Sequence, residues 1–114
     1  MVKEGYIPGR GDIVWLNFTP QSGHEQKGKR PAIVISPKEY NEKAGLAIFC
    51  PITSVEKGYP FEVHVPQRCK VKGTILADHI ECIDWRGRNA RHFDSLPAEV
   101  LKEVEEKLGP LIFP

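Results

Sequence analysis

The residues best suited to chemistry are an arginine and two hydroxyl residues at the ends of apolar strands. Arg30 precedes Pro31, and a proline restricts the residue before it to extended backbone. The guanidinium is therefore held at the entrance of the strand predicted from Ala32 to Ile35. Thr53 and Ser54 follow the next apolar strand along the chain. Guanidinium and hydroxyl groups both donate hydrogen bonds to anions, so this pattern suits a phosphate or a carboxylate, although an unused surface arginine also fits the spacing.

A polar segment from Gly23 to Pro31 separates the first two predicted strands. A loop of this length in a compact domain usually carries function. It contains a histidine, a glutamate, a glutamine and a lysine that are candidates for a site: His24, Glu25, Gln26 and Lys29. The segment is the first place where we expect substrate contacts.

Composition restricts the possible functions. The 114 residues carry a formal net charge of only +1, which suits one domain over residues 1–114 and requires any anion site to be a local cluster of cations. Neither a bilayer-spanning apolar segment nor a signal-peptide pattern is present. The three cysteines do not suggest a disulfide framework, so we expect a cytoplasmic protein with Cys50 and Cys82 in the core.

Metal and cofactor chemistry is not indicated. The four histidines fall at no ligand spacing, and no glycine loop of the nucleotide-binding type follows a strand. RNA cleavage needs neither, because the ribose 2′-hydroxyl is its own nucleophile and the protein must only bind, transfer protons and stabilise charge. From the residues alone, metal-free RNA chemistry and a generic binding domain both remain open.

The elements that must position these residues are mainly strands. The apolar segments predict strands at 13–18, 32–35, 46–52, 61–65 and 75–83. The first is β-branched and aromatic, and we expect it to be covered on both faces. In the fifth, Asp78 and His79 interrupt the apolar pattern, and we expect one of them to face the core. Ser36 is expected to cap a short helix that ends at Gly45. Basic residues dominate the loops at 66–73 and 86–92.

A second helix is expected to begin after Ser95 and to end at Gly109-Pro110. Its apolar residues recur with the helical period at Val100, Leu101, Val104 and Leu108. Together these elements predict a mainly β (α+β) fold, an SH3-like partial barrel of antiparallel strands with a short inserted helix and a C-terminal helix.

The chain also resembles the MazF/PemK/ChpB family of bacterial toxins, and most closely its MazF branch. The resemblance is carried in order by 11–15 (GDIVW), 23–26 (GHEQ), 30–32 (RPA), 36–37 (SP), 40–41 (YN), 51–53 (PIT), 57–63 (KGYPFEV) and 76–79 (LADH). It extends from about Gly11 to the C-terminal helix. No single one of these motifs is specific, but the ordered set is.

The resemblance implies a sequence-specific, metal-independent endoribonuclease that cuts single-stranded RNA, chiefly mRNA, to 2′,3′-cyclic phosphate and 5′-hydroxyl ends. It implies no cofactor, a homodimer, and inhibition by a cognate MazE-like antitoxin. The catalytic arginine and threonine of the family correspond to Arg30 and Thr53. The PemK branch uses a histidine, an arginine and an aspartate instead. His24 and Asp78 match two of these, but Leu76 stands at the arginine position, so Arg30 with Thr53 is preferred.

An arginine is permanently protonated and is a poor general base. We therefore expect Arg30 and Thr53 to stabilise the phosphorane while His24 or Glu25 accepts the 2′-hydroxyl proton. A histidine base predicts a rate that rises through roughly pH 6–7.

RNA contacts are expected from polar side chains in the same loops and at the interrupted strand. These are Gln26, Lys29, Ser54, Lys57, Asp78, His79, Arg86 and Arg88. Arg86, Arg88 and Arg91 have two other interpretations: they attract an acidic antitoxin segment, or they are solvated and bind neither partner. RNA and antitoxin are both extended anionic chains, so we expect them to compete for one positive surface. Two other functions remain as alternatives: a CcdB-like toxin directed at gyrase, and a non-catalytic SH3-like interaction module.

Overall fold

The computed structural model describes residues 5–17 and 29–114, and within them a seven-stranded antiparallel sheet carries two helices. The strands are β1 (Asp12–Asn17), β2 (Lys29–Val34), β3 (Ala47–Thr53), β4 (Glu62–His64), β5 (Thr74–Leu76), β6 (Glu81–Ile83) and β7 (Arg91–Ser95). The helices are α1 (Lys38–Ala44), between β2 and β3, and α2 (Ala98–Ile112), at the C-terminal end. The predicted mainly β fold, with one inserted and one C-terminal helix, is confirmed.

The strand order is β4-β5-β3-β2-β1-β7, with β6 pairing with β3 beside β5. The described strands form an open sheet, in agreement with a partial rather than a closed barrel. The finer designation SH3-like stays a prediction. The consequence for the site is that β2 and β3, which carry Arg30 and Thr53, are central neighbours with antiparallel register.

Apolar side chains cover both faces of the sheet, because successive strand residues point to opposite faces. On β1, Ile13 belongs to the cluster that includes Val104 of α2, while Val14 belongs to a second cluster with Phe49 and Trp85. All five side chains are buried. The prediction that the first strand is covered on both faces is therefore correct.

The predicted strand at 75–83 is wrong as a single element. It forms two short strands, β5 and β6, that pair with opposite halves of β3. Between them the chain turns, and the His79 main-chain N–H donates to the oxygen of Leu76 at 3.1 Å. Asp78 and His79 are both exposed, contrary to the expectation that one faces the core. Burying the carboxylate or the polar imidazole without a partner would be costly, and the turn leaves both side chains exposed to water.

The basic segment at 86–92 is not a loop throughout, because its last two residues, Arg91 and His92, begin β7. Ser95 ends this strand and does not cap a helix; Pro97 precedes α2 without a side-chain cap. The helix continues through Gly109 and Pro110 to Ile112. The predicted helix end was wrong, but its apolar period was right, since Val100, Val104 and Leu108 are buried.

Two local predictions at α1 and β6 need correction. Ser36 does not cap α1: its buried hydroxyl accepts a hydrogen bond from the Ile48 main-chain N–H at 2.8 Å and donates to the side chain of Asn41. Gly45 ends the helix with φ of 71°, as predicted. Cys50 is buried, as predicted, but Cys82 is exposed and its sulfur lies 4.0 Å from the Tyr40 hydroxyl.

Candidate active site

Arg30 and Thr53 line one cleft of about 480 Å³, called the first cleft below. Along β2 and β3 the pairs run Val34 with Phe49 to Ala32 with Pro51. Continued two residues beyond the last pair, the same register sets Arg30 level with Thr53, although the two residues are no longer paired, and residues two apart on one strand share a face of the sheet. The sheet geometry therefore accounts for the meeting of two residues that are far apart in sequence.

Two prolines lie where the pairing of β2 with β3 ends. Pro31 and Pro51 have no N–H to donate to a ladder, and the last paired residues are Ala32 and Pro51. Beyond them, both strands continue to Arg30 and Thr53 without further pairing to each other. The backbone on the other side of β2 remains fixed, because Arg30 pairs with Leu16 of β1. The prolines thus open the sheet locally while the arginine stays mounted on a strand.

The first cleft combines positive charge with aromatic surface. Its cationic residues are Lys29, Arg30, Lys70 and Lys72. Trp15 and Phe93 lie in the same cleft, with ring centroids 5.7 Å apart in an edge-to-face arrangement. The Lys70 ammonium lies 5.9 Å from the centre of the Phe93 ring. Both rings are half-buried, and cations beside accessible aromatic surface are the combination that binds the phosphates and bases of a single-stranded nucleic acid.

Asp94 fixes the loop that contributes Lys70 and Lys72. Its carboxylate accepts hydrogen bonds from the main-chain N–H groups of Lys70, at 2.9 Å, and Ser95, at 2.8 Å. These two hydrogen bonds hold the pKa of Asp94 below its usual range. The carboxylate is therefore ionised near neutral pH and ties the basic loop to β7.

Thr53 lies between the first cleft and a second one. Its hydroxyl oxygen accepts a hydrogen bond from the Val55 main-chain N–H at 3.1 Å, which orients the side chain at the end of β3. The second cleft, of about 320 Å³, is lined by Thr53, Val55, Lys57, Tyr59, Glu62, Leu76 and His79. Thr53 and Val55 thus belong to the lining of both clefts.

The structure brings together some of the sequence-predicted residues and separates others. Lys29 and Ser54 line the first cleft, and Lys57 and His79 line the second. Asp78 is exposed beside His79, with its carboxylate 3.8 Å from the imidazole Nε2, and lines neither cleft. His24, Glu25 and Gln26 lie outside the described residues.

Arg86 and Arg88 line neither cleft. The Arg86 guanidinium lies 4.6 Å from the centre of the Trp85 ring, and Arg88 donates a hydrogen bond to the main-chain oxygen of Asn17 at 3.0 Å. Both contacts are with this chain's own fold. They support a role for these arginines in holding the turn before β7.

Sequence reasoning missed the aromatic part of the first cleft and the basic pair beside it. The apolar pattern predicts that Trp15 lies in a strand covered on both faces, and it gives no indication that Phe93 belongs to a site. The same pattern marks Lys70 and Lys72 as loop cations and not as site residues. For the two lysines, the sequence carries one signal, the presence of cations in a glycine-containing loop. The grouping of all four residues is not visible in the sequence, because the strand pairing that joins these segments spans most of the chain.

Two further features, a metal site and a membrane-spanning helix, are absent from the part of the chain that the structure describes. Across residues 5–17 and 29–114, no group of three or more histidine, cysteine, aspartate or glutamate side chains is placed to hold a metal ion. Neither helix in these ranges has the length and apolar character needed to cross a bilayer.

Comparison with known proteins identifies relatives over nearly the whole chain. The family described as PemK-like, MazF-like toxin of type II toxin-antitoxin system matches residues 9–112. The endoribonuclease toxin MazF of Escherichia coli K12 is 41% identical over 107 residues, covering 94% of this chain and 96% of that protein. The endoribonuclease toxin ChpB of the same strain is 34% identical over 120 residues, covering 98% and 99%.

Solved structures agree with the sequence comparison. The crystal structure of MazF from Deinococcus radiodurans has a TM-score of 0.85 at 55% identity, covering 94% of this chain and 97% of that one. A MazE–MazF structure from the same organism has a TM-score of 0.84 at 49% identity, covering 95% and 97%. The resemblance noted in the sequence is confirmed: the chain belongs to the PemK-like, MazF-like family of type II toxin–antitoxin toxins.

Proposed function

We propose that this toxin endoribonuclease cleaves single-stranded RNA in the first cleft, with Arg30 and Thr53 contacting the same scissile phosphate. The observation that carries the proposal is the shared cleft, which Arg30 and Thr53 line together with lysine side chains and aromatic rings. A gyrase-directed toxin or a non-catalytic module would not need this combination. The naming of the relatives as endoribonucleases also favours the nuclease over both alternatives.

The proposed step is an internal phosphoryl transfer. The ribose 2′-oxygen attacks phosphorus, the bond from phosphorus to the 5′-oxygen breaks, and the products are a 2′,3′-cyclic phosphate and a 5′-hydroxyl. The 2′-hydroxyl proton passes to a base, and the leaving oxygen receives a proton. His24 and Glu25 are the proposed candidates for the base, and both lie outside the described residues. The chemistry requires no metal and no cofactor.

Arg30 and Thr53 have distinct proposed roles. The planar guanidinium can donate two parallel hydrogen bonds to the non-bridging oxygens, and it keeps its charge at every physiological pH. The Thr53 hydroxyl can donate to the same phosphate while accepting from Val55. Because both groups are mounted on sheet strands, they are preorganised for the charge that develops in the transition state.

We also propose a cognate MazE-like antitoxin as a partner, a homodimeric assembly and a cytoplasmic location, where mRNA is found. The support for the antitoxin is that the similar Deinococcus radiodurans protein has been crystallised as a MazE–MazF complex. An acidic extended segment would suit the cations of the first cleft for the same reason as RNA. Antitoxin and RNA are therefore expected to compete.

The test is incubation of the purified protein with a long single-stranded RNA in EDTA, followed by mapping of the cleaved ends. We expect 2′,3′-cyclic phosphate ends at a recurrent short sequence. Arg30→Lys retains the charge but not the planar pair of donors, and should lower kcat on the order of 100-fold. Arg68→Lys is the matched control, because Arg68 is exposed and pairs with Glu99 at 2.7 Å outside both clefts. Intact RNA with wild-type protein, or full activity of Arg30→Lys, would overturn the proposal.

A further inference from the structure

The loop at 55–60 forms the outer wall of the second cleft. It contributes Val55, Lys57 and Tyr59 to the lining, and the Tyr59 side chain is 60% exposed. The Lys57 ammonium lies 6.0 Å from the centre of the Tyr59 ring. The loop has no helix or strand of its own, so its shape must come from contacts with other elements.

Glu62 provides the first of these contacts. It is the first residue of β4 and only 8% exposed, unusual burial for a carboxylate. One of its oxygens accepts from the Gly58 main-chain N–H at 2.9 Å, and the other from that of Lys57 at 3.2 Å. Gly58 has φ of +80°, which a glycine adopts without strain. The buried carboxylate therefore defines the turn of the loop.

Lys107 provides the second contact, from the C-terminal helix. Its ammonium donates to the main-chain oxygen of Pro60 at 2.8 Å and to that of Glu62 at 3.0 Å. Pro60 is the last residue of the loop, and Glu62 is the first residue of β4. The loop is thus held by a carboxylate at its turn and by an ammonium at its end.

These contacts are separate from the packing of α2. The helix is anchored in the core by Val100, Val104 and Leu108, whereas Lys107 is only half-buried. Loss of the Lys107 donors would therefore release the loop and leave the apolar face of the helix in place. A residue that served only to dock the helix would be expected to contact the core.

The geometry points to Glu62 and Lys107 as positioning residues that set the loop at 55–60 for RNA binding in the second cleft. This inference rests on the proposed function, since the second cleft adjoins Thr53. The nucleotide next to the scissile phosphate enters this cleft, where Tyr59 offers a stacking face and Lys57 a cation. The two positioning residues act on substrate affinity and leave the reacting groups, Arg30 and Thr53, in place.

The test measures steady-state cleavage of a short fluorescent RNA that contains the mapped site. Lys107→Met removes the donors and keeps the apolar stem; we expect KM to rise about 5- to 10-fold with kcat within about twofold, the pattern of lost uniform binding. Lys107→Arg should recover most of the affinity. Lys102→Met is the control, an exposed lysine of the same helix with the same substitution. A KM for Lys107→Met within about twofold of the Lys102→Met value overturns the inference.

Amide hydrogen exchange in the absence of RNA gives an independent measurement. We expect the Lys57 and Gly58 amides to exchange at least about tenfold faster in Glu62→Gln than in wild type, because the neutral amide of glutamine keeps one oxygen acceptor where the carboxylate has two. Unchanged exchange in this variant also overturns the inference.

If Lys107→Met fails to fold, Glu62→Gln takes its place in the KM measurement. Wild-type protein that cuts no RNA would defeat the proposed function, while the exchange result would still decide whether the loop is held as described.

Discussion

Gly73 lies directly against the main chain of Thr53, so that a Cβ atom placed on Gly73 would stand 2.5 Å from the Thr53 carbonyl oxygen. Gly73 has φ of +145°, a backbone conformation that L residues rarely adopt. The next residue, Thr74, is the ladder partner of Thr53. A side chain at Gly73 would therefore push on the strand end that carries a proposed catalytic hydroxyl.

We expect Gly73→Ala to lower the free energy of unfolding by about 1–3 kcal/mol, because both the positive φ and the contact with a carbonyl oxygen are strained. RNA cleavage should fall more than stability explains, since Thr53 must shift. Chemical denaturation and cleavage rates measured below the unfolding transition separate the two effects. Gly109→Ala is the control. Gly109 lies within α2, and a Cβ atom there would have no neighbour within 4 Å. The free energy of unfolding of this variant should therefore rise by about 0.5–1 kcal/mol. Equal stabilities for the two variants would contradict this account.

The Thr53 hydroxyl is expected to matter for the rate and little for the fold. Thr53→Val keeps the shape of the side chain and removes the donor to phosphate, so kcat should fall on the order of 100-fold. Thr53→Ser retains the hydroxyl and should stay within about tenfold of wild type. Single-turnover cleavage is the measurement, with circular dichroism to confirm folding. Full activity of Thr53→Val would remove Thr53 from the mechanism.

The cations of the first cleft predict a salt dependence. Each cation that neutralises a phosphate of single-stranded RNA adds about 0.7 to the slope of log K against log salt concentration. The double variant Lys70→Gln/Lys72→Gln should therefore reduce the slope by about 1.4, measured with an RNA whose reacting 2′-hydroxyl is replaced by hydrogen. The matched double variant Lys38→Gln/Lys43→Gln alters exposed lysines of α1, which lies outside both clefts, and should leave the slope unchanged. Equal slopes in both double variants would place the RNA elsewhere.

The three cysteines should differ in reactivity. Burial, with a smaller effect from the charge of Asp78, raises the pKa of Cys50 to about 12, whereas Cys82 is exposed. A thiol reagent at pH 8 should therefore modify Cys82 quickly and Cys50 only as the protein unfolds, and Cys82→Ser should abolish the fast phase. The folded state holds the Cys50 proton more tightly than the unfolded state does. This contribution to stability is complete below about pH 9 and is lost as the pH rises toward 12. Cys69 is buried as well, so a second fast thiol that remains in Cys69→Ser would show that Cys50 is accessible.

Much of the fold was predictable because local patterns report local physics. Runs of apolar, β-branched and aromatic residues predicted β1 and β3, the glycine at 45 predicted the end of α1, and the period of Val100, Val104 and Leu108 predicted the buried face of α2. The same patterns failed where distant segments decide. The turn at 77–80 divides a run of apolar residues because the two halves pair with different parts of β3. The helix continues through Pro110 although the local signal there predicts its end.

The sequence by itself determined which groups are available: a guanidinium held by Pro31, a hydroxyl at the end of an apolar strand, and loops rich in cations. Their meeting was decided by the antiparallel register of β2 and β3, which brings Arg30 and Thr53 into one cleft. Tertiary structure alone also placed Trp15 beside Phe93 and Lys107 against the main chain of Glu62. The physical reason is that residue type and spacing fix backbone preference and burial within a segment, whereas contacts between segments depend on which strand edges pair and in which register.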